Sequence, residues 1–249
     1  MSARTAPGER VAAFFDVDKT LLPGSSLFPL AVAMHRSGHL RRLDLVRLGL
    51  DQARYRLGRR EHASAIGRVR SASLEAIAGH SRRDLLAVGR AVVRDTLRPR
   101  LYPEAVSRIE SHRRWGHLVF LASSSPEDFV SMIGDELGTD GVVGTRAEVS
   151  EDGIYTGRLE GGLAHGAEKA RRVRELADDM GISLTRAVAY SDSVNDLPLL
   201  LSVGHPIAVN PDRELARVAR TRGWRMLRFS RAPADDAARE RPLHLSASR

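Results

Sequence analysis

The stretch Val11-Ala12-Ala13-Phe14-Phe15-Asp16-Val17-Asp18-Lys19-Thr20-Leu21 decides the fold. Its five opening apolar residues stand between Arg10 and Asp16, the pattern of a short strand buried on both faces of a parallel sheet. Asp16 and Asp18 follow at the carboxyl end of that strand, two residues apart, so in an extended segment they share a side. Neighbouring carboxylates at a strand end suit a divalent cation, or a nucleophile and an acid whose pKa values the surroundings push apart. Asp-x-Asp is also frequent in exposed turns, so the pair gains meaning only from what the rest of the chain brings to it.

Outward from this segment, apolar residues recur at three and four from Leu27 to about Leu97, as in Leu40, Leu43, Val46 and Leu50 and again in Leu85, Val88 and Val92. That spacing predicts three or four helices, interrupted near Gly58 and at Gly79-His80-Ser81. After Pro99 and Pro103 the chain alternates. A helix is expected over Ala105 to Trp115 with Gly116 as its stop, a strand over His117 to Ala122, and a helix over Pro126 to Leu137. Short strands over Val142 to Val149 and Ile154 to Leu159 flank the turn Glu151-Asp152-Gly153. There follow a helix from Glu168 to Met180, a strand from Ala187 to Tyr190, and helix, strand, helix and strand over Asn195 to Leu201, Ile207 to Val209, Asp212 to Arg222 and Trp224 to Phe229. Strands alternating with helices predict an α/β, doubly wound, Rossmann-like parallel sheet whose ligand site lies beyond the carboxyl ends of its strands. The expected domains are a discontinuous core of residues 11–24 and 101–229, an inserted all-helical cap over 25–100 and a disordered tail over 230–249, where periodicity ends.

Two further strand ends and one helix start carry polar groups. Ser123-Ser124-Ser125-Pro126 follows the second strand: Ser124 or Ser125 reads as a helix N-cap with Pro126 at the first helical position, while Ser123 is placed either to cap or to bond a phosphate oxygen beside the helix amides. Lys169 lies near the start of its helix, where the macrodipole disfavours a cation, so either an anion offsets it or its side chain reaches water. Ser191-Asp192-Ser193-Val194-Asn195-Asp196 follows the third strand. Asp192 and Asp196 stand four apart, on one face if the segment is helical, which fits a metal ligand and its support; Asp192 or Asn195 as a plain helix cap is the structural alternative.

Composition narrows the setting. The 249 residues are 42% hydrophobic and 28% charged, enough for a sizeable core, and none is cysteine, which removes disulfides, thiolate metal sites and cysteine nucleophiles. No apolar run is long enough for a membrane span, and Met1 to Arg10 lacks a signal-peptide pattern, so the cytoplasm is the expected location. The net charge of +8 is uneven: residues 35–100 hold 16 Arg, no Lys and 6 acids, so this block carries +10 and the remainder −2. Such a block is either a solvated helical surface or a face for anionic substrate, nucleic acid or lipid, the last two as secondary partners. Among 39 basic residues only Lys19 and Lys169 are lysine. A lysine kept where arginine is otherwise used points to a place for a compact ammonium.

Taken in order, Asp-x-Asp-x-Thr, Ser, Lys and Asp-x-x-x-Asp, each at a strand end or helix start, resemble the haloacid-dehalogenase-like (HAD) superfamily over residues 11 to 229. The helical block directly after the first motif resembles its phosphoserine-phosphatase-like subfamily. The resemblance implies a Mg²⁺-dependent phosphomonoester hydrolase working on a small phosphorylated metabolite through an aspartyl phosphate. By it, Asp16 is nucleophile and metal ligand. Asp18 is the acid and then the base, and its carbonyl is a further metal ligand. Asp192 is the second carboxylate ligand, Asp196 with Asn195 supports from behind, and Thr20, Ser123 and Lys169 hold phosphate oxygens. The chemistry agrees, since a carboxylate attacks an anionic phosphate only where positive charge screens it.

Departures bear on the substrate. Phosphoserine phosphatases carry a glutamate shortly after the first motif, whereas Leu22-Pro23-Gly24-Ser25-Ser26 has no acid and the next is Asp44. Ser191-Asp192-Ser193 and Ser123-Ser124-Ser125 replace Gly-Asp-Gly and Ser-Gly-Gly. Phosphoserine phosphatase proper is therefore the alternative, alongside a binding or regulatory protein using the arginine-rich block. A dehalogenase is disfavoured because Asp18 has a task only when a leaving oxygen needs a proton. Asp18-Lys19-Thr20 also resembles the phosphorylated motif of ion-pumping ATPases, but Leu21-Leu22 stands where Gly-Thr should follow. An arginine block that closes over Asp16 about a hinge at Leu22 to Ser26 completes the expectations.

Overall fold

The computed structural model of the chain describes residues 10–41 and 77–230; the helices expected between 42 and 76 and nearly all of the expected tail lie outside them. Six parallel strands form one sheet in the order β3-β2-β1-β6-β7-β8. They are β1 (Ala12–Phe15), β2 (Leu118–Pro126), β3 (Gly141–Thr145), β6 (Val188–Ser191), β7 (His205–Val209) and β8 (Arg225–Leu227). A separate antiparallel hairpin pairs β4 (Ala147–Val149) with β5 (Tyr155–Leu159). The α/β doubly wound class expected from the sequence is the one observed.

β1 takes the centre because its four residues are apolar on both faces, and all four are fully buried. Phe15 lies opposite Leu121 on one side and Tyr190 on the other. Side-chain alternation then sends Ala13 and Phe15 into one core and Ala12 and Phe14 into the other. The first core is covered by helices α3 (Pro103–Arg114) and α4 (Glu127–Leu137), the second by α5 (Ala167–Met180), the short α6 (Leu197–Leu200) and α7 (Arg213–Arg222). Phe15 stacks on Tyr190 at 4.3 Å between ring centres, and Phe14 on Phe120 at 5.5 Å. Each aromatic thereby locks the registers around the strand that ends in Asp16.

Between β1 and α3 come α1 (Leu27–Arg36) and α2 (Arg82–Val92), the latter continued by a π turn over Val93–Leu97 and a 3-10 turn over Arg98–Arg100. Val92, Val93 and Leu97 pack into the core around Phe15, so this end of the block is continuous with the sheet layer. Ala31, Met34, Leu40, Leu85 and Tyr155 form a smaller cluster joining α1 and α2 to the hairpin. The chain leaves and re-enters the sheet layer side by side: Tyr102 N–H donates to Leu21 O at 2.8 Å. Arg82, after the Ser81 cap of α2, clasps Asp128 at the start of α4 with Nε and Nη2 at 2.9 and 2.5 Å, and Tyr155 Oη adds a bond to Asp128 at 2.7 Å. Arg94 and Arg98 pair with Asp95 and Glu136, so part of the arginine excess serves ion pairs. Among the described residues no helix is long and apolar enough to cross a membrane.

Three local readings are corrected. Ser123 to Ser125 do not cap a helix: β2 runs through them to Pro126, which pairs with Thr145, and Pro126 itself occupies the N-cap position. The proline is the reason, since it drives the residue before it into extended backbone. The segment expected as one strand over 142–149 divides after Thr145, whose hydroxyl donates to Ser124 O at 2.8 Å and holds β3 to the sheet while the chain turns away into the hairpin. The helix expected from Asn195 is a 3-10 turn over Val194–Asp196, and α6 starts only at Leu197 beside Pro198, whose fixed φ suits a helix start. Asp192 and Asp196 therefore do not share a helix face.

On the α3 side, His112 is fully buried, with Nε2 2.8 Å from Tyr190 Oη and Nδ1 2.9 Å from His117 Nδ1. Burial, reinforced by His117 and Arg108, pushes its imidazole down to about 3. The unfolded chain takes up that proton near 6.5, so the contribution of His112 to stability is complete above about 6.5 and is lost as the pH falls from there toward about 3. In His112→Gln an amide keeps a bond to Tyr190 without titrating. Its thermal midpoint is expected to fall less than that of the wild type between about pH 7 and pH 4; parallel declines would clear His112 of this role.

Candidate active site

Asp16 is placed by the strand that precedes it: its N–H donates to Tyr190 O at 2.9 Å, the last rung before the chain leaves the sheet. The loop beyond reverses at Lys19, whose φ of 63° is left-handed and costs a non-glycine residue free energy. Lys19 N–H to Gly24 O at 3.1 Å and Leu21 N–H to Val17 O at 2.9 Å hold that turn. It returns Thr20, fully buried, so that its hydroxyl donates to Asp16 Oδ2 at 3.3 Å. Asp18 points to the start of α1, where its Oδ1 accepts Ser26 N–H at 2.8 Å.

Lys169 comes from the first turn of α5 and is 1% exposed. Its Nζ donates to Asp16 Oδ1 at 2.8 Å and to both oxygens of Asp196 at 2.9 and 2.8 Å. Ser191 Oγ fixes Asp196 from the other side, donating to Oδ2 at 2.7 Å. The exposed-lysine alternative is thereby excluded, because two carboxylates offset the unfavourable helix end. Burial opposes the charge on Lys169, but Asp16 and Asp196 outweigh it and hold the ammonium above its ordinary range. Burial also pushes Asp16 up to about 7, further than Lys169 pulls it down, and Asp196 adds to the rise.

The remaining predicted residues sit at the same edge of the sheet. Ser123 is buried, with Oγ accepting Ser125 N–H at 3.1 Å, and Ser124 Oγ lies 3.4 Å from His165 Nδ1. Asp192 is buried at the end of β6, the neighbour of β1, and its carbonyl accepts Asp212 N–H at 2.8 Å. Asn195 turns toward Ser193, to whose Oγ both its N–H and its side-chain amide donate. Asp196 does something other than expected: its carboxylate goes to Lys169 and Ser191.

Two contributors escaped the sequence reading. Asp212 accepts Val194 N–H at 2.9 Å and Leu215 N–H at 2.7 Å, pinning the Asp192 loop to the start of α7. The helix expected over Asp212 to Arg222 begins at it, which told nothing of the loop. His165 had no neighbouring motif to draw notice.

Asp16 and Asp196 face one buried ammonium, and Asp192 is buried at the end of the neighbouring strand. Among the described residues no three His, Asp or Glu side chains converge as a ready cage. Two carboxylates with a main-chain oxygen and waters is a donor set that suits Mg²⁺, which keeps much of its hydration. Asp16 and Asp192, buried at the ends of the neighbouring strands β1 and β6, are the residues that could hold such a cation.

A sequence model of haloacid dehalogenase-like hydrolases matches residues 13–201. The chain is 39% identical over 222 residues to the Streptomyces azureus "Inhibition of morphological differentiation protein", covering 89% of this chain and 79% of that one. It is 37% identical over 218 residues to a phosphoserine phosphatase of Mycobacterium tuberculosis, covering 88% and 70%. A crystal structure of a Bordetella pertussis protein of unknown function aligns with TM-score 0.76 and 32% identity, covering 90% of this chain and 99% of that one. A substrate-bound phosphoserine phosphatase aligns at 0.62 with 17% identity, covering 90% and 94%, a likeness of fold.

Breaking a buried ion pair leaves an uncompensated charge, at a cost of about 3–5 kcal/mol. Asp196→Ala is expected at the lower end, about 3 kcal/mol in urea unfolding, because Asp16 still faces the ammonium. Lys169→Met combined with Asp196→Leu should recover part of that loss. An Asp196→Ala variant as stable as the wild type would show that Lys169 does not depend on Asp196.

Proposed function

The chain belongs to the haloacid dehalogenase-like hydrolase family and is a phosphatase of it, and we propose that it hydrolyses small phosphate monoesters through an aspartyl phosphate on Asp16, with Mg²⁺ as its cation. The observation that carries this reading is the buried Lys169 Nζ held 2.8 Å from Asp16 at the carboxyl end of β1. An ammonium in that position screens a carboxylate from the phosphate it attacks and bonds a phosphate oxygen as charge builds up. Thr20 and Ser123 supply further hydroxyl donors. Asp16, the Asp18 carbonyl and Asp192 would hold Mg²⁺, which when bound supplies the remaining screening charge.

In the first half-reaction an Asp16 oxygen bonds to phosphorus, the ester P–O bond breaks, and Asp18 gives its proton to the leaving alkoxide. In the second, the Asp18 carboxylate takes a proton from water, the water oxygen attacks phosphorus, and Asp16 leaves as a carboxylate with inorganic phosphate as product. Ser26 N–H on Asp18 Oδ1 fixes the plane of the carboxyl that serves both steps. Asp196 and Ser191 position Lys169. Among the described residues α1 and α2 are inserted between the Asp16 loop and α3, and they are assigned as a cap on this edge, with Leu22 to Ser26 as its hinge. The absence of any acid between Asp18 and Asp44 speaks against phosphoserine as substrate and for another small phosphorylated metabolite.

Mg²⁺-dependent release of p-nitrophenol from p-nitrophenyl phosphate tests the reaction, and acid-quenched phosphoenzyme labelling tests the nucleophile. Asp16→Asn is expected to lose both turnover and label. Asp18→Asn should slow turnover by about 10²–10⁴ while leaving a trappable phosphoenzyme. A labelled Asp16→Asn protein would reject the assignment. Lys169→Arg should be severely impaired although the charge is kept, because a planar guanidinium does not fit where a point ammonium sits between carboxylates; near wild-type rates would assign Lys169 a purely structural task.

A further inference from the structure

Helix α2 has two contrasting faces. Leu85, Gly89 and Val92 are buried, and Gly89 lies so close to α4 that a methyl group added there would fall 2.7 Å from Met132 Sδ. That contact fixes the rotation of the helix. Arg83, Ala87 and Arg90 are consequently exposed, with the half-buried Leu86 at their flank. These four residues line a cleft of about 600 Å³, a size ordinary for a small ligand, together with Ser81, Arg82 and, from the turn of the hairpin, Asp152 and Gly153.

The walls of the cleft are joined by main-chain bonds. Arg82 N–H donates to Gly153 O at 2.9 Å and Tyr155 N–H to His80 O at 3.0 Å, so the start of α2 and the hairpin hold a set spacing. The guanidinium of Arg82 is turned to Asp128, and Arg94 and Arg98 further along have acidic partners of their own. Arg83 and Arg90 differ. Among the described residues neither side chain enters an ion pair or a hydrogen bond. They stand at the two ends of the strip formed by Leu86 and Ala87, about 10 Å apart along the axis at ~1.5 Å per residue. Asp152 is the one acid lining the cleft. Two guanidinia without partners, separated by apolar surface, match a ligand with the opposite pattern, because a guanidinium is weakly hydrated and its fork takes both oxygens of a carboxylate.

We propose that this cleft binds a small organic dianion, with one anionic group for each of Arg83 and Arg90 and an apolar middle that covers Leu86 and Ala87. A single inorganic anion engages one arginine and leaves the strip uncovered, and a neutral apolar molecule leaves both arginines without a partner. Asp152 acts against ligands of higher negative charge. The inference is independent of the phosphatase reading, since none of these residues belongs to the Asp16 site.

Straight-chain dicarboxylates from malonate to sebacate are the probes, with octanoate and octanediol as the singly charged and neutral controls. Each is titrated calorimetrically into the full-length protein at low ionic strength, where exposed charges are least screened. Affinity is expected to rise with chain length and to peak between suberate and sebacate, whose ends reach both arginines, at about fivefold or more above malonate and octanoate. Arg83→Gln and Arg90→Gln should each weaken sebacate binding by about two- to fivefold, the span of an exposed ion pair, and the double variant should bind sebacate no better than octanoate. The thermal midpoint and the hydrolysis of p-nitrophenyl phosphate should stay at wild-type values in both single variants. Sebacate affinity that is unchanged in the double variant would place the ligand elsewhere and overturn the site. Equal affinity for every chain length would reduce it to unselective surface charge, and no measurable binding of any dicarboxylate would overturn it outright.

Discussion

One ammonium buried between two carboxylates sets the terms for the rest of the molecule. Taking Lys169, Asp16 and Asp196 out of water costs several kcal/mol per ion, and mutual attraction in a poorly polarisable interior returns that only when the geometry is held closely. The holding is visible in the fold. β1 and β6 lie side by side, so Asp16 and the Ser191-to-Asp196 loop emerge together. α5 begins just where its third residue can reach both, and Ser191 keeps Asp196 turned inward. An apolar trio of the same volume would be at least as stable. What this ion cluster provides instead is a fixed electric field at the sheet edge, where the proposed reaction brings a phosphate dianion.

How far this arrangement was legible in the chain depends on whether its cause was local. β1 as a buried strand followed from five apolar residues, because a strand buried on both faces has no polar side to reveal; its place between β2 and β6 came from the structure. Lys169 stood out because arginine is used nearly everywhere else, and the choice between ammonium and guanidinium is a matter of shape that composition preserves. Asp196 was assigned to the wrong neighbour. Its spacing from Asp192 is a fact about the chain, whereas its actual partner arrives from 27 residues upstream through α5. The serines before Pro126 were read as a cap on statistics that the proline overrode, and β2 carries them forward as an extended arm toward Thr145. Asp212 gave a correct helix start and no hint that its second oxygen secures the loop bearing Asp192, since that bond joins two loops across the sheet edge.

The excursion that begins at Leu22 and ends at Leu101 has a closed stem. Tyr102 N–H bonds Leu21 O, so the stem of the excursion is sealed by the main chain itself, immediately beyond the loop that carries Asp16, Asp18 and Thr20. Once a stem is pinned, the entropy of closing what lies between grows only with the logarithm of its length, about 0.6 kcal/mol for each doubling. Val92, Val93 and Leu97 and the Arg82–Asp128 pair tie part of the excursion to the sheet layer, so it is the length of chain beyond them that the pinned stem leaves cheap to vary. On the proposed function, phosphorus chemistry and choice of alcohol become separable inheritances: the first is written in strand ends that tolerate little, the second in an insertion whose length is free to be rewritten.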